Sequence, residues 1–145
     1  MKRQIFALSL GLLAVAAGVQ AKEGVANAAA GKRMDLMDEI RASFAVIGGM
    51  AQGKTAFDAD AAAAARAKLL EDAAMIPAVF KPEESDPKSK AAPAIWEDWD
   101  EFTEHAGALE TAVQGLDTAS LDTVKAGFGP VAKSCGSCHG EFRLK

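Results

Sequence analysis

The sequence predicts an all-α fold, an antiparallel up-down four-helix bundle. Apolar residues recur at intervals of three and four, which is the spacing of one helix face, and no stretch alternates convincingly as a strand would. Alanine, the strongest helix former, is abundant, and tyrosine is absent. Four amphipathic segments follow one another, and all but one of their connections are short, as expected for antiparallel neighbours in a bundle.

The start of the chain has the pattern of a secretory signal peptide. A basic beginning precedes an apolar run that ends at Val19, and small residues favour cleavage after Ala21. A membrane anchor is the alternative, but the uncharged stretch is marginal for crossing a bilayer. We therefore expect residues 1–21 to be removed and residues 22–145 to form one domain, exported to a bacterial periplasm and without a membrane span.

The charge balance limits the class of partner. The whole chain has 16 basic and 20 acidic residues, a net charge of −4. Because residues 1–21 hold two basic residues and no acidic one, the remainder carries −6. An acidic chain without a basic stripe is a poor candidate for nucleic-acid binding. Any protein partner is expected to offer a basic docking face.

The first two helices are predicted from their apolar stripes. The first runs from about Gly31 to Gln52, where Gly48 and Gly49 weaken the helix or allow a close approach. The second begins after the N-cap Asp58 and is expected to end at Pro77. The stripe of the first is Met37, Ile40, Phe44, Ile47 and Ala51, and that of the second is mostly alanine, which permits close packing.

Residues 77–93 contain four prolines and are expected to form a surface crossover. The third helix is predicted to begin near Pro93, and its heptad repeat, the clearest in the chain, continues to Leu116. The fourth follows the N-cap Ser120 and is expected to kink or restart at Pro130. Its apolar stripe runs on into two cysteines near its end.

Those cysteines belong to the stretch "SCGSCHG". Cys135 and Cys138 are the only cysteines of the chain, and His139 is one of two histidines. Because an α-helix advances by about 100° per residue, all three side chains fall on one face. All three can therefore bind the same ligand or metal, and four interpretations of this cluster are possible.

Three of the interpretations are weak. A thioredoxin-like redox pair is expected where a helix begins after a strand, whereas Cys135 and Cys138 come near a helix end with no strand before it. A structural zinc site needs four ligands, and His105, the only other histidine, lies beside the third helix's stripe where a surface position is more common. A structural disulfide would close too short a loop to constrain much of the chain.

The fourth interpretation is covalent haem attachment. Cys-x-x-Cys-His is the attachment pattern of c-type haem, in which the two thiols form thioethers with the haem vinyl groups. The histidine that follows is presented to the iron as an axial ligand. In an exported chain with no other evident use for its cysteines, this interpretation is strongly favoured, with Cys135 and Cys138 as tethers and His139 as proximal ligand.

At this point the chain resembles the class II c-type cytochromes, the family of cytochrome c′ and cytochrome c556. That family carries its haem motif near the C-terminus of a four-helix bundle, where "SCGSCHGEFRLK" lies. The segments "KRMDLM", "GGMAQGKTAFD" and "PAIWEDWDEF" extend the resemblance over the whole mature chain. The resemblance implies one haem c with its iron, no enzymatic activity, and a homodimer as one form of assembly.

The resemblance also implies roles for residues around the haem. Arg33 matches an arginine close to a haem propionate, and Arg143 matches an arginine close to the proximal face. Trp96 and Phe142 match aromatic positions, where an ordinary core role is equally compatible. Pro130 departs from the family pattern.

Met37 occupies the position that the family places opposite the histidine. If its sulfur binds the iron, the site is six-coordinate and low-spin and suits an electron carrier that exchanges electrons with redox partner proteins. If Met37 only packs there, the site is five-coordinate and open to NO or CO. The carrier is the preferred hypothesis, and the gas-binding cytochrome c′ is the alternative.

Overall fold

The computed structural model describes residues 23–145, so the predicted signal peptide, residues 1–21, lies outside the described residues. The described chain forms five helices: α1 (Ala28–Ala51), α2 (Ala59–Phe80), α3 (Ala94–Glu97), α4 (Trp99–Gln114) and α5 (Leu121–Phe142). The one-turn α3 precedes α4, and the four long helices form the bundle. The prediction of an all-α four-helix bundle is confirmed.

Each long helix begins at a side chain that caps it. The side chains of Asn27, Asp58, Asp98 and Ser120 accept hydrogen bonds from backbone amides three residues later, at the starts of α1, α2, α4 and α5. Such caps satisfy amides that have no partner inside the helix. At Ser120 the side chain of Thr123 returns the contact and completes a capping box.

The helices are arranged in a ring in chain order. α1 packs against α2 and α5, and α4 packs against the same two helices. Phe80 at the end of α2 contacts Phe102 near the start of α4, with ring centroids 5.2 Å apart. At the other end, Arg66 near the start of α2 donates to the carbonyl of Val113 near the end of α4. α2 and α4 are therefore antiparallel, although the crossover between them is the one long connection of the bundle.

The structure contradicts the helix end predicted at Pro77 and the helix restart predicted at Pro130. α2 does not end at Pro77 but continues to Phe80. The lost hydrogen bond at Pro77 is offset by the burial of Ile76 and Phe80, which are 5 and 6% exposed. α5 is likewise one continuous helix through Pro130 and does not restart there. Val131, fully buried beside this proline, holds that turn against the core.

The predicted third helix is divided at Asp98, which has non-helical backbone angles. Its side chain accepts from the amide of Glu101 and so caps the start of α4. None of the helices in residues 23–145 is long and apolar enough to cross a membrane.

Candidate functional site

A cavity of about 520 Å³ lies among the helices near the end of α5. α1, α2, α4, α5 and the crossover that precedes α3 all contribute to its wall. Its lining includes Arg33, Met34, Met37, Phe44, His105, Cys135, Cys138, His139, Phe142 and Arg143. The cavity thus brings together most of the residues that the sequence singled out.

α5 supplies the thiols and the imidazole. Cys135 and Cys138 are half-buried with free thiols, and His139 is at the exposed edge of the same wall. These residues lie three and four positions apart or adjacent on a regular helix, so one face presents all of them to the cavity. The predicted common orientation of the three is what the structure shows.

The electrostatics of this wall do not suit thiol redox catalysis. Burial raises the pKa of the Cys135 thiol, and burial together with the charges of Cys135 and Glu141 raises the pKa of Cys138 to about 11. Reactive Cys-x-x-Cys pairs instead need a thiol with a lowered pKa. Partial desolvation, and then the positive charge of Arg143, lower the pKa of His139, which favours the neutral imidazole that binds metals.

α1 supplies two methionines to the wall of the cavity. Met37 and Met34, one turn apart, both line the cavity, and Phe44 lines it two turns after Met37. Met50 is buried in the core of the bundle and is not among the lining residues. Met37 therefore lines the same cavity as His139, and Met34 shares the wall with it, which the sequence did not indicate.

Arg33 is the most deeply buried charge of this region, 2% exposed. Its Nη1 donates to the carbonyl of Pro82 over 2.8 Å, and its Nη2 donates to the carbonyl of Glu84. The guanidinium carbon lies 5.8 Å from the ring centroid of Phe80 and 5.2 Å from that of Trp96. Burial lowers the pKa of Arg33, whereas the charge of Glu84 opposes that shift. Arg33 therefore ties α1 to the crossover.

The remaining predicted residues divide into two groups. Phe142 and Arg143 line the cavity, whereas Trp96 is not among its lining residues. The ring of Trp96 instead packs against the guanidinium of Arg33. Its Nε1 donates to the carbonyl of Phe80 over 2.9 Å. The structure thus gives Trp96 a packing role beside the cavity.

His105 is not the surface residue that was expected. It is half-buried, lines the cavity, and contacts the ring of Phe142 edge to face with centroids 5.7 Å apart. Its Nε2 lies 3.8 Å from a carboxylate oxygen of Glu141. Among residues 23–145, the grouped metal-ligating atoms are those of Glu101, His105 and Glu141, which do not include the cysteines. The zinc interpretation of Cys135 and Cys138 is therefore not supported.

The crossover closes one side of the cavity through backbone pairing. The amide of Ala92 donates to the carbonyl of Phe142 over 3.0 Å, and the amide of Leu144 donates to the carbonyl of Lys90 over 2.8 Å. These bonds form an isolated antiparallel bridge between Ala91 and Arg143. They hold residues 88–91 against the cavity, a contribution that no local sequence pattern predicts.

The chain is similar to known proteins in both sequence and structure. A family model described as cytochrome C′ matches residues 28–143. Cytochrome c-556 of Agrobacterium fabrum is 36% identical over 118 residues, which cover 79% of this chain and 80% of that protein. The crystal structure of cytochrome c′ from Rubrivivax gelatinosus has a TM-score of 0.71 and 30% identity, and the match covers 79% of this chain and 94% of that one.

A third similar structure is a nitric oxide complex of a mutant of cytochrome c prime from Alcaligenes xylosoxidans. It has a TM-score of 0.72 and 27% identity, and the match covers 81% of this chain and 94% of that one. The relatives therefore include proteins named cytochrome c-556 as well as proteins named cytochrome c′.

Proposed function

This chain belongs to the cytochrome C′ family, and from that membership we propose that it is a periplasmic one-electron carrier with His139 and Met37 as axial ligands. The cofactor of the family is covalently attached haem c with its iron. The observation that carries the proposal is that Met37 of α1 and His139 of α5 line one cavity. Export rests on the signal-peptide pattern of residues 1–21.

The residues of the cavity fit a haem. Apolar side chains dominate the lining, as is usual for cofactor sites, and the two free thiols are on the same wall as the imidazole. Arg33 borders the cavity, and its buried Nε has no hydrogen-bond partner among the described residues. An acidic group on a ligand in the cavity would supply the missing acceptor.

The residues of α5 have separate roles in this proposal. Cys135 and Cys138 would form the two thioether bonds, after which neither thiol is available for disulfide chemistry. His139 would coordinate through a neutral imidazole, the form that its lowered pKa favours. Arg143 follows α5 directly, and its charge acts on that imidazole. When bound, haem c supplies an iron that gains or loses one electron.

Met37 determines which of two functions this cavity serves. A thioether ligand opposite histidine gives a six-coordinate site and raises its reduction potential, which suits an electron carrier. The position of Met37 at the cavity supports this choice, and Met34, one turn earlier, borders the same cavity and is the competing sulfur ligand. The flexible, unbranched methionine side chain can adapt its sulfur position at little cost.

The alternative function is the reversible binding of NO or CO at an open position. It is favoured by the similarity to a structure of cytochrome c prime described as a nitric oxide complex. In that case Met37 would only pack in the cavity, and the sixth position would stay accessible. The two functions therefore differ in one bond, that between the Met37 sulfur and iron.

An optical spectrum of the ferrous holoprotein, recorded before and after CO is added, separates the two functions. We expect a sharp low-spin spectrum that CO does not change. A broad high-spin spectrum that shifts at once with CO would contradict the carrier. Absence of covalently bound haem from protein made in a host with a haem c attachment system would contradict both functions.

A pair of variants assigns the ligand. Met37→Ala is expected to convert the low-spin spectrum into a high-spin spectrum that responds to CO. Met34→Ala, the matched control, removes the same side chain from the same cavity wall one turn earlier. It should leave the spectrum low-spin. The reverse result would assign the sulfur ligand to Met34, and an unchanged spectrum in both variants would exclude methionine ligation.

A further inference from the structure

Three metal-ligating side chains meet where α4 lies against the end of α5. Glu101 and His105 are four residues apart on α4 and therefore share one side of that helix, and Glu141 belongs to the last turn of α5. One nitrogen of the imidazole and one oxygen of each carboxylate lie within 4.8 Å of one another. His105 lines the cavity and the two glutamates do not, so the three donors meet at the outer edge of the cavity wall.

His105 is the fixed member of this group. Its ring packs edge to face on that of Phe142, and its side chain is 20% exposed. Its Nε2 lies 3.8 Å from a carboxylate oxygen of Glu141, a separation that is too long for a hydrogen bond. The imidazole is therefore held beside the carboxylate, and its Nε2 is not engaged by it.

The surroundings of the three donors are negatively charged. The carboxylate of Glu101 lies in the field of Glu141 and also in that of Asp98, the residue that caps α4. Asp100 and Glu104 are further exposed carboxylates in the first turns of α4. Such a surface attracts cations, and a cation bound between Glu101 and Glu141 would remove the repulsion of their charges.

We propose that Glu101, His105 and Glu141 bind one divalent transition-metal ion of the zinc class. Zinc binds imidazole nitrogen and carboxylate oxygen at about 2.0–2.2 Å, so donors on one ion lie about 3–3.5 Å apart. The two glutamates are exposed and can close the remaining distance by side-chain rotation, while Phe142 holds the imidazole. One nitrogen with two oxygens suits zinc better than Mg²⁺ or Ca²⁺, which prefer six or more oxygen ligands.

The proposed metal site is separate from the haem iron. None of its three donors is an expected haem ligand, so the proposal goes beyond the proposed function and holds whether or not Met37 binds the iron. Glu141 follows His139 by two residues on α5, and Glu101 and His105 belong to α4. An ion at this position therefore links α4 to the turn of α5 that carries the haem attachment motif.

Calorimetric titration of the holoprotein with Zn²⁺ tests the site. The protein is prepared without a histidine tag. In the proposed holoprotein the haem occupies Cys135, Cys138 and His139, which leaves His105 as the remaining imidazole of the chain. We expect one zinc ion to bind per chain and not to be displaced by Mg²⁺ or Ca²⁺ at the same concentration. Absence of zinc binding, or displacement by Ca²⁺ at equal concentration, would overturn the proposal.

Single substitutions assign the zinc ion to its donors. Glu101→Gln and His105→Gln should each weaken zinc binding by at least about tenfold, since even the loss of a group behind a ligand costs about 10- to 100-fold. Because Glu101 is exposed, its variant remains decisive if His105→Gln loses the fold. The matched control, Glu104→Gln, removes an exposed carboxylate of α4 outside the cluster and should bind zinc as the wild type does.

Two results with these variants would overturn the proposal. Wild-type affinity in a folded His105→Gln protein would show that the imidazole is not a ligand. Equal losses in Glu101→Gln and Glu104→Gln would show attraction by the acidic surface in place of a defined site.

Crystals of the holoprotein soaked in zinc give an independent measurement. Anomalous maps recorded above and below the zinc absorption edge identify zinc and leave out the haem iron. We expect one peak within about 2.5 Å of donor atoms of Glu101, His105 and Glu141. Peaks only at lattice contacts, or on carboxylates without the imidazole, would indicate an adventitious ion only and would overturn the proposal. Neither outcome alters the CO test of the haem ligands, so failure of the two proposals is distinguishable.

Discussion

The ring of Phe128 on α5 stacks on the ring of Phe44 on α1, with centroids 4.7 Å apart and 7° between the planes. The same ring covers Gly48, where an added Cβ would lie only 3.0 Å from Phe128 Cε2. At Gly48 the predicted close approach is therefore that of an aromatic side chain, whereas at Gly49 it is that of Thr55. Because Phe44 borders the cavity, this contact helps to fix the spacing between the helix of Met37 and the helix of His139.

Gly48→Leu is expected to lower the free energy of unfolding by about 1–3 kcal/mol, because the new side chain must displace Phe128. Urea denaturation followed by circular dichroism measures the change. The control, Gly107→Ala on α4, adds a methyl group where no atom lies within 4 Å. It should raise stability by up to about 1 kcal/mol, since alanine favours the helix. Equal stability of the Gly48 variant and the wild type would contradict the packing role of the glycine.

Arg33→Met is expected to lower the free energy of unfolding by about 2–4 kcal/mol. The change removes the donors to the carbonyls of Pro82 and Glu84, and those two acceptors lose their partner. Arg41→Met, which removes an exposed ion pair with Asp38, should change stability by no more than about 0.5 kcal/mol. Comparable losses in the two variants would show that the burial of Arg33 is not what makes it important.

Asp86 gives the crossover a stability that depends on pH. Its carboxylate accepts from the amides of Lys88, Asn27 and Ala26 over 2.8, 3.0 and 2.9 Å. These bonds, that of Lys88 first, lower the pKa of Asp86 in the folded state. Its contribution is therefore fully present above the pKa of the unfolded state, about 3.9, and is lost as pH falls through the lower folded value.

Asp86→Asn should therefore reduce the urea midpoint at pH 7 and have a progressively smaller effect as the pH is lowered below about 4. Glu104→Gln, at an exposed position on α4, serves as the control and should have little effect at either pH. A difference between Asp86→Asn and the wild type that grows as the pH falls would refute this account, because its sign would be reversed.

Arg66 stabilises the end of α4 from the neighbouring helix. Its Nε and Nη2 donate to the carbonyls of Val113 and Gln114 over 3.1 and 2.8 Å. Arg66→Met should lower the free energy of unfolding by about 1–2 kcal/mol, because two terminal carbonyls lose a charged donor. Arg66→Lys should recover only part of the loss, since an ammonium lacks the planar pair of donors. Hydrogen exchange of the last turn of α4 would show whether the effect is local.

The helices could be predicted from the sequence because their signals are local. The apolar spacing and the caps Asp58 and Ser120 are readable within a few residues, and they locate the starts of α2 and α5 correctly. The end of α2 could not be predicted in this way. Whether Pro77 stops a helix depends on how strongly Phe80 is buried by α4, and that contact involves a distant part of the chain.

The residues of the site divide in the same manner. The common face of Cys135, Cys138 and His139 follows from helix geometry, so it could be predicted from spacing alone. The position of His105 could not, because its half-buried environment depends on Phe142 of another helix.

The bridge between Ala91 and Arg143 can form only after the residues at the end of α5 have been synthesised. The amide of Ala92 and the carbonyl of Lys90 acquire their partners from Phe142 and Leu144, in the segment that leaves the ribosome later than every other part of the cavity wall. This side of the cavity therefore stays open during synthesis until the segment that bears Cys135 and Cys138 is also complete. Closure of the wall and arrival of the attachment residues are thus one event in the assembly of the protein.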